Sequence, residues 1–130
     1  MTLLCQCTIA GLPPTANHVY RSAGGRRYKT KEGRDWQSMA SSLLCSMVKL
    51  STPYEGAAAV RYVFCSRSKR RWDLDNRIKV IQDCLAPAGI LADDSQIMEV
   101  SARRVYGNED WTQVSVWAIG DEDLFGGVEQ

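Results

Sequence analysis

The sequence predicts a small α/β (α+β) domain in which helices pack on a mixed four-stranded sheet, in the order β-α-β-α-β-β. Three observations carry the prediction. Four short segments alternate apolar and polar residues, as strands do. Two longer segments repeat apolar residues every three to four positions, as helices do, and Gly/Pro clusters separate them. At 130 residues and 45% apolar composition the chain suits one packed core without covalent staples.

Leu3 to Ala10 reads as the first strand, stopped by Gly11-Leu12-Pro13-Pro14. Residues 15–29 read as an irregular, basic loop around Gly24-Gly25, with a short extended piece at His18–Tyr20. Thr30 is placed to cap a helix running to about Lys49, whose Trp36, Ala40, Leu43, Met47 and Leu50 define one face. Thr52-Pro53 ends it. Ala57 to Cys65 is the second strand, with Val60, Tyr62 and Phe64 on one side. Leu74, Ile78, Ile81 and Leu85 predict a second helix over about Asp75–Ala86, closed by Pro87 and Gly89. Ile97–Tyr106 and Trp111–Ile119 read as a closing β-hairpin turning at Gly107-Asn108. The folded domain is expected over residues 1–119, and residues 120–130 as an acidic, disordered tail.

Charge is unevenly distributed. Residues 1–104 carry all 16 Lys/Arg against 9 Asp/Glu, giving +7, whereas residues 105–130 carry 6 Asp/Glu and no Lys/Arg, giving −6. Two basic runs, at 21–34 and 61–79, suggest a polyanion partner. No apolar run approaches the roughly 18–20 residues that span a bilayer, and the first residues do not read as a signal peptide. Five cysteines without CxxC spacing argue against a zinc finger or a disulfide framework, so a reducing cytoplasm is the expected setting. With one histidine, a His-rich metal site is excluded. The nucleophile elbow, the Walker loop and the dinucleotide fingerprint are absent.

The most informative segment sets aspartates among cations: Arg67-Ser68-Lys69-Arg70-Arg71-Trp72-Asp73-Leu74-Asp75-Asn76-Arg77-Ile78-Lys79, then Asp93-Asp94. Carboxylates in a basic groove oppose a polyanion unless a cation stands between them. Asp73, Asp75 and Asp94, with Asp93 beside it, therefore read as a hard-cation site for Mg²⁺, with Mn²⁺ as a substitute. In an extended lead-in Asp73 and Asp75 project to the same side. Asp75, Lys79 and Asp83 fall on one helical stripe, where Lys79 can steer a phosphate, stabilise its developing charge or help activate water. The same residues also fit a plain helix N-terminus, a helix ion pair and a turn.

These residues resemble the RusA-type Holliday-junction resolvases. Pro13-Pro14-Thr15-Ala16-Asn17-His18-Val19-Tyr20 is similar to that family's PPSxNxxY element. Arg71 to Lys79 resembles its R-D-L-D-N-x-x-K segment, and Asp83-Cys84-Leu85 through Ala88-Gly89 to Asp93-Asp94-Ser95-Gln96-Ile97 resembles D-x-L-x-x-A-G-x-x-x-D-D-x-Q-[VI]. The resemblance implies a RusA-like homodimer that nicks four-way DNA junctions symmetrically with Mg²⁺. It implies Asp73, Asp75 and Asp94 as metal ligands, with Asp93 contributing or standing just behind them, and Lys79 as the catalytic lysine. Arg26, Arg27, Lys29, Arg67, Lys69, Arg70, Arg71 and Arg77 are the candidate DNA contacts. Where the family often has a basic residue before the first aspartate, this chain has Trp72. Arg71 reaching round, Trp72 stacking on an unpaired base and Trp72 packing under the loop all remain open.

Asp121-Glu122-Asp123-Leu124-Phe125 loosely resembles the short motifs that dock on sliding clamps, without the usual leading Gln; a solubilising disordered end and an autoinhibitory tail folded over the basic groove are the alternatives. Two rival functions stand beside the nuclease: a non-catalytic junction-binding protein of the same fold, and a DxD-type nucleotide-sugar transferase, for which no nucleotide-binding half is visible.

Overall fold

The computed structural model describes residues 1–48 and 50–124. Its strands and helices are β1 (Thr2–Ala10), α1 (Ala16–Val19), β2 (Tyr20–Ala23), β3 (Arg26–Lys29), α2 (Lys31–Met47), β4 (Ala58–Ser66), α3 (Leu74–Gln82), β5 (Ile97–Tyr106), β6 (Trp111–Ala118) and α4 (Asp121–Leu124). The main sheet has the order β1-β6-β4-β5. β1 and β4 pair antiparallel with β6, and β5 pairs parallel with β4. The predicted mixed sheet of four strands is present.

The closing segments are not a hairpin. β4 lies between β5 and β6, because it is the most deeply buried strand and takes a central place. Residues 107–110 step over its end, a span of two strand spacings that about four extended residues cover. Asp110 fixes that crossing: its carboxylate accepts from the Arg67 amide at 2.8 Å and its carbonyl from the Gly11 amide at 2.8 Å.

Residues 20–29 are likewise not an irregular loop. β2 and β3 form an antiparallel ribbon, Tyr20 opposite Lys29 and Ala23 opposite Arg26, turned by Gly24 (φ 57°) and Gly25 (φ 77°). Positive φ at both central residues is what a type I′ hairpin turn requires. The ribbon is almost wholly exposed, so it shows no apolar alternation to reveal it.

Thr30 caps α2 as expected. Its hydroxyl accepts from Gly33 N at 3.1 Å and donates to His18 O at 2.8 Å, tying the helix start to α1. Gly33 permits the contact, since a Cβ there would meet Val19 Cγ1 at 2.7 Å. The buried face of α2 differs from the predicted one: Gly33, Gln37, Ala40 and Leu44 face inward, while Leu43, Met47 and Leu50 are exposed. A glutamine holds a core position because its Nε2 donates to Val80 O and Tyr20 Oη, each at 3.0 Å. α2 ends at Met47, so the predicted end at Lys49 lies outside the described residues.

Helix α3 begins one residue earlier than predicted and ends at Gln82. Beyond it the chain tightens into turns (Cys84 N to Ile81 O, 3.0 Å; Leu85 N to Gln82 O, 3.2 Å) as Pro87 approaches. The core gathers Cys7, Ile9, Val60, Tyr62, Phe64, Val114 and Val116 of the sheet against Ala40, Leu44, Ile81 and Leu85. All five cysteines are free, and burial pushes the Cys5 and Cys84 thiols up to about 11. Asp121–Leu124 form a helical turn within the predicted tail, while Phe125 and the residues after it lie outside the described residues. No helix of the described residues is long and apolar enough to cross a membrane.

Candidate active site

The acidic residues are organised by α3. Asp73 is its N-cap, in extended conformation (φ −83°, ψ 132°), and its carboxylate makes no capping bond, so it is left for another partner. Leu74 is already helical, which places Asp75 in the first turn and replaces the extended geometry expected from the sequence. Asp75, Lys79 and Asp83, four residues apart, succeed one another along one side of the helix. The helix dipole lends its positive end to Asp73 and Asp75.

At the other end of this stripe, Asp83, Asp93, Asp94, Gln82 and Lys29 line a shallow cleft of about 260 Å³. The two neighbouring aspartates differ in use. Asp93 caps the short 3₁₀ turn Asp94–Gln96: its carboxylate accepts from Ser95 N at 3.0 Å and from the Ser95 hydroxyl, and its amide donates to Gln96 Oε1 at 2.8 Å. The Ser95 hydroxyl, followed by the Ser95 amide, holds the Asp93 carboxyl below the usual carboxylate range. Asp94 is exposed and free of such bonds.

Lys79 is exposed and sits 3.4 Å from Asp83 Oδ2 and 5.3 Å from the centre of the Tyr20 ring. Tyr20 donates its hydroxyl to Asp83 and accepts from Gln37. Burial, then the bond to Asp83, raises the Tyr20 phenol above its ordinary value. Lys79 also opens onto a cleft of about 640 Å³ between α3 and the β2–β3 ribbon, lined by Asn17, Tyr20, Arg21, Arg27 and Lys29.

The basic loop before Asp73 is bound to the sheet. Trp72 packs edge-on against Phe64, ring centres 5.9 Å apart, and two guanidiniums lie against its indole, Arg77 at 4.5 Å and Arg104 at 4.3 Å from the ring centre. This is the placement expected of a side chain packed under the loop; it gives no support to Trp72 as a base-stacking residue. Arg77 is likewise engaged inside the fold, donating to Pro13 O, and burial followed by the Arg104 charge lowers its affinity for its proton. Arg67, Lys69, Arg70 and Arg71 are exposed, as are Arg26, Arg27 and Lys29 on β3.

Among the described residues no three His, Cys, Asp or Glu side chains stand close enough to hold one ion. The predicted ligands Asp73, Asp75, Asp93 and Asp94 are thus spread along and beyond α3 and form no closed cage. Their all-oxygen chemistry still fits Mg²⁺, which is commonly held by one or two carboxylates with water and substrate phosphate completing its shell.

Gln37 and Arg104 join this region without being singled out by the sequence, and Tyr20 enters it with no role assigned there. Tyr20 closes the PPTANHVY segment, and Arg104 is a charged residue at a strand position that pairs with core Phe64, a signal in itself.

The family model described as endodeoxyribonuclease RusA matches residues 11–117, a span that takes in the acidic stripe, the ribbon, β4, β5 and all but the last residue of β6. The chain belongs to the RusA endodeoxyribonuclease family. It is a nuclease of mixed α+β fold. Its curated relatives include the crossover junction endodeoxyribonuclease RusA of Aquifex aeolicus, 30% identical over 88 residues (67% of this chain, 68% of that protein). The RusA of Escherichia coli K12 is 29% identical over 90 residues (67% and 72%). That of Enterobacteria phage HK97 is 26% identical over 92 residues (71% and 76%).

Proposed function

We propose that the protein is a homodimeric, Mg²⁺-dependent endodeoxyribonuclease that resolves four-way or related branched DNA by paired symmetric nicks in the cytoplasm of a bacterial or phage-infected cell. The observation that carries the reading is the α3 stripe. Free carboxylates at Asp73 and Asp75 and an exposed Lys79 stand on a helix flanked by the basic β2–β3 ribbon and the basic 67–71 loop.

In this reading Arg26, Arg27 and Lys29 on one side, and Arg67, Lys69, Arg70 and Arg71 on the other, hold the phosphate backbone along α3. Asp73 and Asp75, with Asp94 drawn in when DNA binds, would hold the metal, which would supply positive charge at the scissile phosphate. Asp93 serves the turn that presents Asp94. Lys79 leaves its exposed pair with Asp83 and donates to a phosphate oxygen as negative charge builds there. Tyr20 and Gln37 keep Asp83 in place while Lys79 moves. A two-fold dimer presents two such sites to a two-fold junction.

The rival is a non-catalytic junction-binding protein of the same fold. A labelled four-way junction and a linear duplex of the same sequence, each with Mg²⁺ or EDTA, separate the two for the wild type and Asp75→Asn. Paired nicks in the junction alone, lost with EDTA and with the substitution, support the nuclease. Tight junction binding by the wild type without cleavage in Mg²⁺ or Mn²⁺ leaves only the binding protein.

A further inference from the structure

We propose that Arg104 is a positioning residue that holds the loop 66–72 on the sheet and thereby sets where Asp73 stands; its role in cleavage rests on the nuclease reading above. Arg104 projects from β5, opposite Phe64 of β4. Its Nη2 donates to Ser68 O at 2.9 Å and to Arg70 O at 2.7 Å, two carbonyls of the basic loop. Its guanidinium carbon lies 4.3 Å from the centre of the Trp72 ring and 5.1 Å from that of Tyr106. One side chain thus grips the loop through two backbone bonds and through the residue immediately before Asp73.

The grip continues into α3. Arg77 lies against the same indole and donates to Pro13 O, so β5, the loop, the start of α3 and the segment after β1 are joined at Trp72. Two cations are brought together here, and their Nε atoms are buried without partners. Like charges and unmet donors oppose folding, so the arrangement points to a purpose other than stability. The geometry supplies it. The loop is otherwise tied at Ser66 and Arg67, by Ser66 Oγ donating to Ser68 O at 2.7 Å and by Arg67 N donating to Asp110 at 2.8 Å. Without Arg104, residues 69–72 keep a short local bond, Arg70 N to Ser68 Oγ at 3.1 Å, the exposed Lys69 ammonium 6.0 Å from the centre of the Tyr106 ring, and the indole. A lysine is not an equivalent replacement: both carbonyl bonds come from Nη2, but an ammonium lacks the planar guanidinium that lies against the indole.

The test uses Arg104→Lys and Arg104→Ala in the full chain, with two independent measurements. Limited trypsin digestion of the DNA-free protein, read by mass spectrometry, reports cutting after Arg67, Lys69, Arg70 and Arg71. The expected result is at least fivefold faster cutting there in both variants, with cutting within α2 unchanged. Under saturating junction the single-turnover cleavage rate is expected to fall at least tenfold, while junction affinity in EDTA shifts less than threefold. Unchanged cutting at 67–71 would overturn the proposal. So would affinity falling in step with rate, which would make Arg104 a DNA contact, or full recovery of the rate by Arg104→Lys. A wild type that cleaves no branched DNA would end the nuclease reading alone. The trypsin comparison would then decide whether Arg104 holds the loop.

Discussion

Asp83 carries two bonds of different strength, and a double-mutant cycle separates them. Its partner Tyr20 is half-buried and donates a hydroxyl to a carboxylate, an arrangement worth about 1.5–3 kcal/mol. The Asp83 side chain keeps 23% exposure, which lets water soften the loss, so we take about 2 kcal/mol. Its other partner, Lys79, lies at 3.4 Å and is 61% exposed, an i,i+4 pair worth about 0.3–0.5 kcal/mol. Urea unfolding of Tyr20→Phe, Asp83→Ala and the double variant should therefore yield a coupling of about 1.5–2 kcal/mol. The same cycle with Lys79→Ala should yield about 0.5 kcal/mol or less. Tyr20→Phe alone should lower the thermal midpoint by roughly 6–8 °C. A Tyr20–Asp83 coupling below about 0.5 kcal/mol, or one smaller than the Lys79–Asp83 coupling, would refute the reasoning. The functional point lies in the difference. Asp83 is held by the fold, and Lys79 is held so weakly that a phosphate can recruit it at little cost.

Other expectations follow from the same geometry. Arg26→Ala with Arg27→Ala should weaken junction binding and flatten the dependence of log affinity on log salt by about 2, near 0.9 per phosphate contact, measured by fluorescence anisotropy from low to moderate salt. A thiol reagent at pH 8 should label the native protein at Cys45, the one exposed cysteine, and all five only after denaturation; rapid labelling of a second thiol in the native state would contradict the packing. The Cys5 and Cys84 thiols bind their protons more tightly folded (about 11) than unfolded (9.0), so stability should fall as pH rises from 9 to 11. Urea midpoints at pH 8, 9.5 and 10.5 test this; Cys84→Ala should flatten the decline, and a flat wild-type profile would count against the buried thiols.

Elements that bury one face were legible in the sequence. β1, β4 and the capped start of α2 lie where alternation and Thr30 put them. What escaped had a different physical basis. The β2–β3 ribbon is exposed, so its only signal was the pair Gly24-Gly25, compatible with loop and turn alike. The pairing of β5 with β4 was available in principle, since β4-α3-β5 is a strand-helix-strand unit and such units run parallel. The Gly107-Asn108 turn signal outweighed it. On α2 the apolar spacing marks Leu43 as core, yet Gln37 is buried and Leu43 is not: two acceptors meet the Gln37 Nε2, although its Oε1 is buried without a partner. At the candidate site the sequence names acidic residues, and their spacing along the chain does not place them relative to one another in space. Asp93 and Asp94 adjoin the C-terminal end of α3, not the end that carries Asp73 and Asp75.

That separation yields an expectation for the metal. A cage of three or four carboxylates binds a divalent ion tightly before any substrate arrives, whereas carboxylates spread along a helix offer one or two oxygens at a time. The remaining ligands must then come from water and from DNA phosphate. Metal affinity of the DNA-free protein should be weak, in the millimolar range, and should tighten at least tenfold when a junction is bound. Thermodynamic reciprocity requires the same factor to appear in junction affinity when metal is added. Calcium, used in place of magnesium to prevent turnover, makes both sides measurable: calorimetry for the ion, anisotropy for the DNA. Asp75→Asn should remove the gain in junction affinity while leaving the affinity measured in EDTA within threefold or better than wild type, because a negative charge facing phosphate has been lost. Micromolar ion binding by the DNA-free wild type would show that the carboxylates gather without DNA, and the stripe would then be the wrong description of the site.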